Sequence, residues 1–156
     1  MKICLIVVGK TTDIRLSSLI QDYQERLKHY IPFSIEVLPE LKHAKALTEE
    51  QQKIMEGDLI LKALPSTADL ILLDEHGHEY RSTQFADYLQ KKMLTGKDIV
   101  FAIGGPYGFS PAVYARANGK ISLSQMTFSH QMVRLFFVEQ IYRAMTILRN
   151  EPYHHE

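Results

Sequence analysis

Three glycines within five residues form the part of this sequence best suited to binding a ligand. Residues 104–108 read Gly-Gly-Pro-Tyr-Gly and directly follow the apolar run Ile99–Ile103. Glycine permits positive φ angles and lets a ligand approach bare backbone, because no side chain stands in the way. Ser110 and Pro111 then supply residue types that begin a helix. The loop therefore predicts either a binding site at a strand end or a tight turn that only reverses the chain.

Known phosphate-binding patterns do not fit this chain. The glycine loop is not G-x-G-x-x-G, and Pro106 removes a backbone donor that a pyrophosphate would need. Gly9-Lys10-Thr11 imitates the end of a P-loop, but the glycine required five residues earlier is Cys4. Asp74 could be the acceptor of a phospho-receiver domain, yet the first turn lacks the acidic residues that such a domain needs. The sequence disfavours all three kinds of site.

Metal and hydrolase chemistry have weaker signals. Residues 74–79 read Asp-Glu-His-Gly-His-Glu, and carboxylates and imidazoles can hold a divalent metal. Residues adjacent in sequence rarely converge on one ion without other elements, so we expect a solvated turn around Gly77 and no metal. Ser110 and Ser129 are the candidate nucleophiles of a hydrolase, but neither lies in a G-x-S-x-G elbow.

Two further segments carry groups that could contact a nucleoside. Residues 122–130 mix apolar and hydroxyl side chains, a lining that suits an adenine ring. Residues 150–156 read Asn-Glu-Pro-Tyr-His-His-Glu. A histidine can take a proton near neutral pH and Tyr153 could stack on a base. The residues alone leave this segment open between a frayed tail and part of a site.

Strand-like and helix-like segments alternate along the whole chain. The expected strands are Ile3–Val8, Ser34–Leu38, Leu70–Leu73, Ile99–Ile103 and Ile121–Leu123. Uninterrupted apolar strands between helices predict an α/β fold with a doubly wound, mostly parallel sheet covered on both faces. Ligands of such sheets bind outside the carboxyl ends of the strands, so the turns after Leu73, Ile103 and Leu123 are the expected site.

Helix starts can also be read from the sequence. Thr48 and Gln51 form a possible capping box, and Ser82 could cap the following helix. The helix within Met132–Leu148 is apolar around nearly its whole circumference, which predicts burial on all sides. In a small chain that favours packing against a second subunit, although a central core helix is the alternative.

Bulk properties point to one cytoplasmic domain spanning residues 1–156. The chain is 46% hydrophobic, and its 18 basic residues balance 18 acidic ones. This balance requires a local patch, a paired subunit or a structured target if the partner is a nucleic acid. Cys4, the single cysteine, fits a reduced protein. The N-terminus lacks the pattern of a signal peptide, and no transmembrane span or membrane partner is expected.

Several motifs together resemble one known family. These are KICLIVVGK at the N-terminus, LLDEHG, IGGPYGFSP, LSQMTFSHQMVR, VEQIYRAMTI and the terminal EPYHHE. They resemble the bacterial ribosomal RNA large-subunit pseudouridine N3-methyltransferase family, which belongs to the SPOUT (α/β-knot) methyltransferase superfamily. The resemblance covers essentially the whole chain.

The resemblance implies a specific fold, cofactor and partner. The fold would carry a C-terminal trefoil knot, which no periodicity argument can reveal. The protein would be a homodimer that transfers a methyl group from S-adenosyl-L-methionine, without a metal, to N3 of a pseudouridine in 23S ribosomal RNA of the assembled ribosome. The implied cofactor-binding residues are Leu73, Gly104, Gly105, Leu123, Ser124, Gln125, Met126, Thr127 and Phe128.

Catalytic roles fall on the tail and the last helix. We expect His154 to accept or relay the N3 proton, Tyr153 to hold the flipped base, and Arg134 or Arg143 to stabilise the anion. His155 replaces an arginine found in many relatives, so a permanent cation is lost there. The alternatives are a non-catalytic ribosome-binding assembly factor and a flavodoxin-like nucleotide-binding protein.

Overall fold

The computed structural model describes residues 1–155, so that Glu156, the last residue of the terminal motif, lies outside the described part. Five strands and five α-helices alternate along it. The strands are β1 (Ile3–Val8), β2 (Phe33–Leu38), β3 (Asp69–Glu79), β4 (Ile99–Ile103) and β5 (Gly119–Ser122). The helices are α1 (Ile14–Leu27), α2 (Glu49–Ala63), α3 (Ser82–Met93), α4 (Pro111–Arg116) and α5 (Met132–Leu148), with a short 3₁₀ turn at Ala44–Ala46.

The strands form one all-parallel sheet in the order β2-β1-β4-β3-β5. Apolar clusters cover both faces, which confirms the predicted α/β sheet. One cluster packs β1, β3 and β4 against α1, α3 and α5, and the other packs them against α2 and α4. Because all strands are parallel, their carboxyl ends lie along one edge of the sheet.

Strand β3 is longer than the sequence predicts. Leu73 pairs with Ile121, the chain then bulges outward, and His78 pairs with the same residue of β5. A Cβ on Gly77 would lie 2.6 Å from backbone atoms of Ile121, so only glycine lets the strand close this tightly. The polar segment 74–79, for which the sequence predicted a solvated turn, therefore belongs to β3, and that prediction is wrong.

Helix caps follow the sequence closely, with one correction. Thr48 and Gln51 form the predicted capping box, with hydrogen bonds of 2.9 and 3.1 Å. Ser82 does not cap α3, because it is already the first helical residue. Arg81 occupies the cap position, and its backbone N–H donates to the side chain of Gln84 at 2.9 Å. The Ser82 hydroxyl donates instead to Gln140 on α5, at 3.0 Å.

Candidate active site

A groove of about 760 Å³ lies at the carboxyl ends of β4 and β5 and beside the irregular pairing in the middle of β3. Its walls are the segments that follow Leu73, Ile103 and Leu123, the three places that the sequence selects. The remaining lining comes from the glycine loop 104–109, the segment 122–130 without Gln125, and a few side chains of neighbouring helices. A volume of this size lies within the usual range for small-molecule sites.

The glycine loop is folded back on itself. The N–H of Gly108 donates to the carbonyl of Gly105 at 3.1 Å, and Gly108 has a φ of 82°, in the left-handed region. Ser110 caps α4 by accepting from the N–H of Val113 at 3.3 Å, as its sequence position predicts. The loop therefore presents backbone to the groove in a fixed shape.

Asp74 provides a buried carboxylate in the middle of β3, directly after Leu73. The hydroxyl of Tyr114 on α4 and the backbone N–H of His76 donate hydrogen bonds to it. Burial raises the pKa of the Asp74 carboxyl, but these hydrogen bonds outweigh it and leave the pKa below its usual value. Asp74 thus stays charged near neutral pH and ties α4 to the groove.

The segment after β5 forms the opposite wall. The backbone N–H of Met126 donates to the hydroxyl of Ser124 at 2.9 Å, and the hydroxyl of Ser122 donates to the carbonyl of Ser124 at 2.9 Å. These bonds turn the chain so that most of the predicted cofactor residues face the groove. They are Leu73, Gly104, Gly105, Leu123, Ser124, Met126, Thr127 and Phe128.

The sequence did not predict a few of the residues that line the groove. Glu49 and Lys53 on α2, Tyr114 on α4 and Val133 on α5 also line it. Glu49 and Lys53 lie far from the glycine loop in sequence and belong to no motif, whereas Tyr114 follows that loop by six residues and Val133 lies within LSQMTFSHQMVR. The capping box at Thr48 was the nearest signal, since it fixes where α2 begins beside the groove.

Arg134 is buried at the start of α5 with 2% of its surface exposed. Its guanidinium donates to the carbonyls of Val8 and Gly9 at 2.9 Å each, to the carbonyl of His130 at 3.1 Å and to the hydroxyl of Thr11 at 3.1 Å. These bonds join α5 to the loop after β1. The donors of Arg134 are engaged in holding backbone.

The chain end forms an ordered network with α1 and α5. Tyr153 donates to the Glu139 carboxylate at 2.9 Å, and its oxygen lies 3.2 Å from the hydroxyl of Tyr23. Arg143 donates to the same carboxylate at 2.6 and 3.1 Å. Burial and these hydrogen bonds raise the pKa of Tyr153 well above its usual value. The tail therefore has a defined structure, and the alternative of a frayed tail is wrong.

His154 contacts the same arginine. Its Nδ1 lies 3.0 Å from Nη1 of Arg143. A guanidinium has donors and no acceptor, so Nδ1 must accept and the ring proton sits on Nε2.

The tail network and the groove lie at different points along α5. Val133 lines the groove and Arg143 belongs to the network, ten residues further along the helix. At 1.5 Å per residue this separates them by about 15 Å along the helix axis. Neither Tyr153 nor His154 is among the residues that line the groove of the same chain.

None of the helices in residues 1–155 is long and apolar enough to cross a membrane. Within the same range, no group of three or more His, Cys, Asp or Glu side chains is arranged to hold a metal ion. The acidic and imidazole groups of residues 74–79 thus form no such cluster among themselves.

Comparisons with known proteins agree with the resemblance noted in the sequence. Residues 1–154 match a family described as "Predicted SPOUT methyltransferase". Proteins named "Ribosomal RNA large subunit methyltransferase H" from Parabacteroides distasonis, Phocaeicola vulgatus and Flavobacterium johnsoniae are 62%, 60% and 59% identical to this chain. Each alignment covers 100% of this chain and 100% of the relative. A match over nearly every residue shows that the chain belongs to the SPOUT methyltransferase family.

Proposed function

We propose that this protein methylates N3 of a pseudouridine in large-subunit ribosomal RNA, with S-adenosyl-L-methionine as the methyl donor. The observation that carries the proposal is the groove along the segments that follow Leu73, Ile103 and Leu123, with the glycine loop on one wall and residues 122–130 on the other. The relatives named as ribosomal RNA large-subunit methyltransferases support the choice of substrate. The cytoplasm is the matching location, and the trefoil knot stays a prediction from the family.

The groove fits the chemistry of S-adenosyl-L-methionine. Apolar side chains at Leu73, Ile103 and Leu123 suit the faces of a purine, and the backbone of residues 104–108 offers polar groups for its edge. The carboxylates of Asp74 and Glu75 at the same groove give it negative charge. When bound, the cofactor supplies an electrophilic methyl group on a sulfonium. The chain's own residues must then position the acceptor and manage its proton.

The tail residues are the best candidates to handle the acceptor base. An N3 imide attacks only after losing its proton, which leaves negative charge on the ring. Arg143 is a permanent cation beside His154, and Nε2–H of His154 can donate to a developing anion. His154 can accept the proton itself only after its Nδ1 leaves Arg143. Tyr153 is held by Glu139 at a position where its ring could pack on the base.

Arg134 is the weaker of the two arginine candidates. Its guanidinium donates to three carbonyls and one hydroxyl, and only 2% of its surface is exposed. Arg143 contacts both Tyr153 and His154, so we assign the anion-stabilising role to it.

A homodimer would bring tail and groove together. Neither Tyr153 nor His154 lines the groove of its own chain, and in a dimer the tail of one chain would lie over the groove of the other. Apolar side chains exposed around the groove support such contact. Met126, Phe128, Met132 and Phe136 are 78, 37, 38 and 41% exposed, respectively. RNA would then meet a surface built from both chains.

The decisive test is transfer of labelled methyl to ribosomes from a strain that lacks this gene. We expect one N3-methylated pseudouridine in the large-subunit RNA, identified by mass spectrometry, and little label on naked RNA. A His154→Ala variant should lose most of the rate and keep its cofactor affinity. A protein that binds ribosomes without taking up S-adenosyl-L-methionine in calorimetry would instead be a non-catalytic binding module.

A further inference from the structure

Glu56 is a buried carboxyl group without a charged partner. It lies on α2 with 5% of its surface exposed. The amide of Gln52, one turn earlier, donates to Oε2 at 3.4 Å, and Oε1 has no hydrogen-bond partner within residues 1–155. A buried acidic oxygen without a partner is costly and uncommon in folded proteins.

The carboxyl group lies directly behind the groove wall. A Cβ built on Gly105 would lie 2.5 and 2.6 Å from the two carboxylate oxygens of Glu56, and Gly105 itself lines the groove. The glycine therefore lets the carboxylate press against backbone that faces the ligand. The backbone of Gly105 therefore lies between the Glu56 carboxylate and the groove.

The surroundings of Glu56 leave its charge nearly uncompensated. The layer between α2, the sheet and α4 is apolar, with Ile60, Phe109 and Val113 in one cluster. The neighbouring cation, Lys53, is paired with Glu50 at 2.9 Å. Since the medium around it is weakly polarisable, the carboxylate acts on the groove with little screening.

We propose that Glu56 adds a buried counter-charge, behind the groove lined by Asp74 and Glu75, by which the groove distinguishes a cationic ligand from a neutral one of the same shape. This inference rests on the proposed function, in which the bound donor is a sulfonium. Donor and product then differ by one methyl group and one positive charge. The Glu56 carboxylate favours the donor, and the same interaction is lost once the product is a neutral thioether, which speeds its exchange.

Proton linkage follows from the same geometry. Burial raises the pKa of the Glu56 carboxyl, with the hydrogen bond from Gln52 opposing it. A cation in the groove favours the ionised form and lowers that pKa. Binding therefore releases a proton wherever the free protein holds Glu56 partly protonated, and affinity for the cation rises with pH until Glu56 is ionised.

Calorimetric titration with S-adenosylmethionine and S-adenosylhomocysteine tests the proposal on the full chain. In Glu56→Gln, which keeps shape and removes charge, we expect S-adenosylmethionine to bind roughly tenfold more weakly. S-adenosylhomocysteine should bind within about twofold of wild type. Asp58→Asn, an exposed site on the same helix, is the matched control and should leave both affinities unchanged. An equal loss for both ligands, or no loss for either, would overturn the proposal.

A second measurement needs only the wild-type protein. Titrations in buffers of different ionisation enthalpy report the protons released on binding. We expect proton release with S-adenosylmethionine and less with S-adenosylhomocysteine, in the pH range where the Glu56 carboxyl of the free protein is partly protonated. His76 and His130 also line the groove, so the Glu56 share is the part that vanishes in Glu56→Gln. Equal release with both ligands contradicts the inference, whereas failure of the wild type to bind S-adenosylmethionine at all refutes the proposed function itself.

Discussion

The hydroxyl of Tyr153 joins the chain end to two helices. It donates to Glu139 on α5, and because it has a single proton, the Tyr23 hydroxyl on α1 must be the donor in their 3.2 Å contact. Tyr153→Phe removes both bonds and keeps the ring. We expect the methylation rate to fall about tenfold or more, since the ring loses its fixed position.

A measurement of cofactor affinity distinguishes the loss of the fixed position of the Tyr153 ring from a general disruption of the fold. Tyr153 does not line the groove, so Tyr153→Phe should bind S-adenosylmethionine as wild type does, with stability lower by about 1 kcal/mol. Tyr88→Phe on α3 is the matched control and should keep the full rate. If Tyr153→Phe methylates ribosomes at the wild-type rate, the tail has no positioning role.

Sequence reasoning at this scale found groups with distinctive chemistry and missed those that depend on folding. Tyr153 and His154 stand out by type, but only the structure shows that Arg143 fixes the tautomer of His154. Glu56 lies in a helix rich in acidic and basic residues, where a solvated side chain is the ordinary expectation. Its burial comes from the contact with Gly105, 49 positions away by residue number, which no local pattern encodes.

The second pairing between β3 and β5 depends on Gly77. A Cβ there would meet backbone of Ile121 at 2.6 Å, and backbone cannot move aside as a side-chain tip can. We expect Gly77→Ala to lower the free energy of unfolding by about 2 to 4 kcal/mol and to weaken cofactor binding, because Ile121 lines the groove. Gly119→Ala lies in the same strand pair, with its nearest neighbour at an ordinary 3.6 Å, and should cost less than about 1 kcal/mol.

Arg134 joins α5 to the loop after β1 through hydrogen bonds. Lysine at this position keeps the charge but places all its donors on one atom, so it cannot reach the acceptors at Val8, Gly9, Thr11 and His130 together. We expect Arg134→Lys to lower stability by about 3 to 5 kcal/mol and to weaken S-adenosylmethionine binding, as judged by chemical denaturation and calorimetry. If Arg134→Lys keeps normal stability and normal S-adenosylmethionine affinity but loses the methylation rate, then Arg134 has a catalytic role.

Helices and strands whose bounds are set by a local sequence pattern were predicted well. Strands β1 and β4 begin and end where their apolar runs do, and the capping box fixes the start of α2. The far half of β3 was missed because Asp74 to Glu79 are polar and contain a glycine, which locally favours a turn. Its pairing depends on β5, a strand more than 40 residues later.

Within one chain the groove and the tail network are separate, because neither Tyr153 nor His154 lines the groove. Helix α5 runs between them, and it is buried along one side while Phe136 remains 41% exposed beside the groove. The sequence predicted a helix apolar all round and left its partner open between the core and a second subunit. The core alternative describes the buried side, which α1 and α3 cover, and contact of the exposed side with a second subunit stays a prediction.

Separate inactivation of tail and groove tests whether the site is shared between chains. His154→Ala disables the tail, and Gly105→Val disables the groove by driving a side chain into the Glu56 carboxylate. Two differently tagged chains, one with each change, can be co-expressed and isolated as a mixed dimer. If each site takes its groove from one chain and its tail from the other, the mixed dimer keeps one intact site of two. We therefore expect about half of the wild-type methylation rate, while both pure variants stay inactive. A site contained within one chain predicts no activity in the mixed dimer, because neither chain then carries both parts intact.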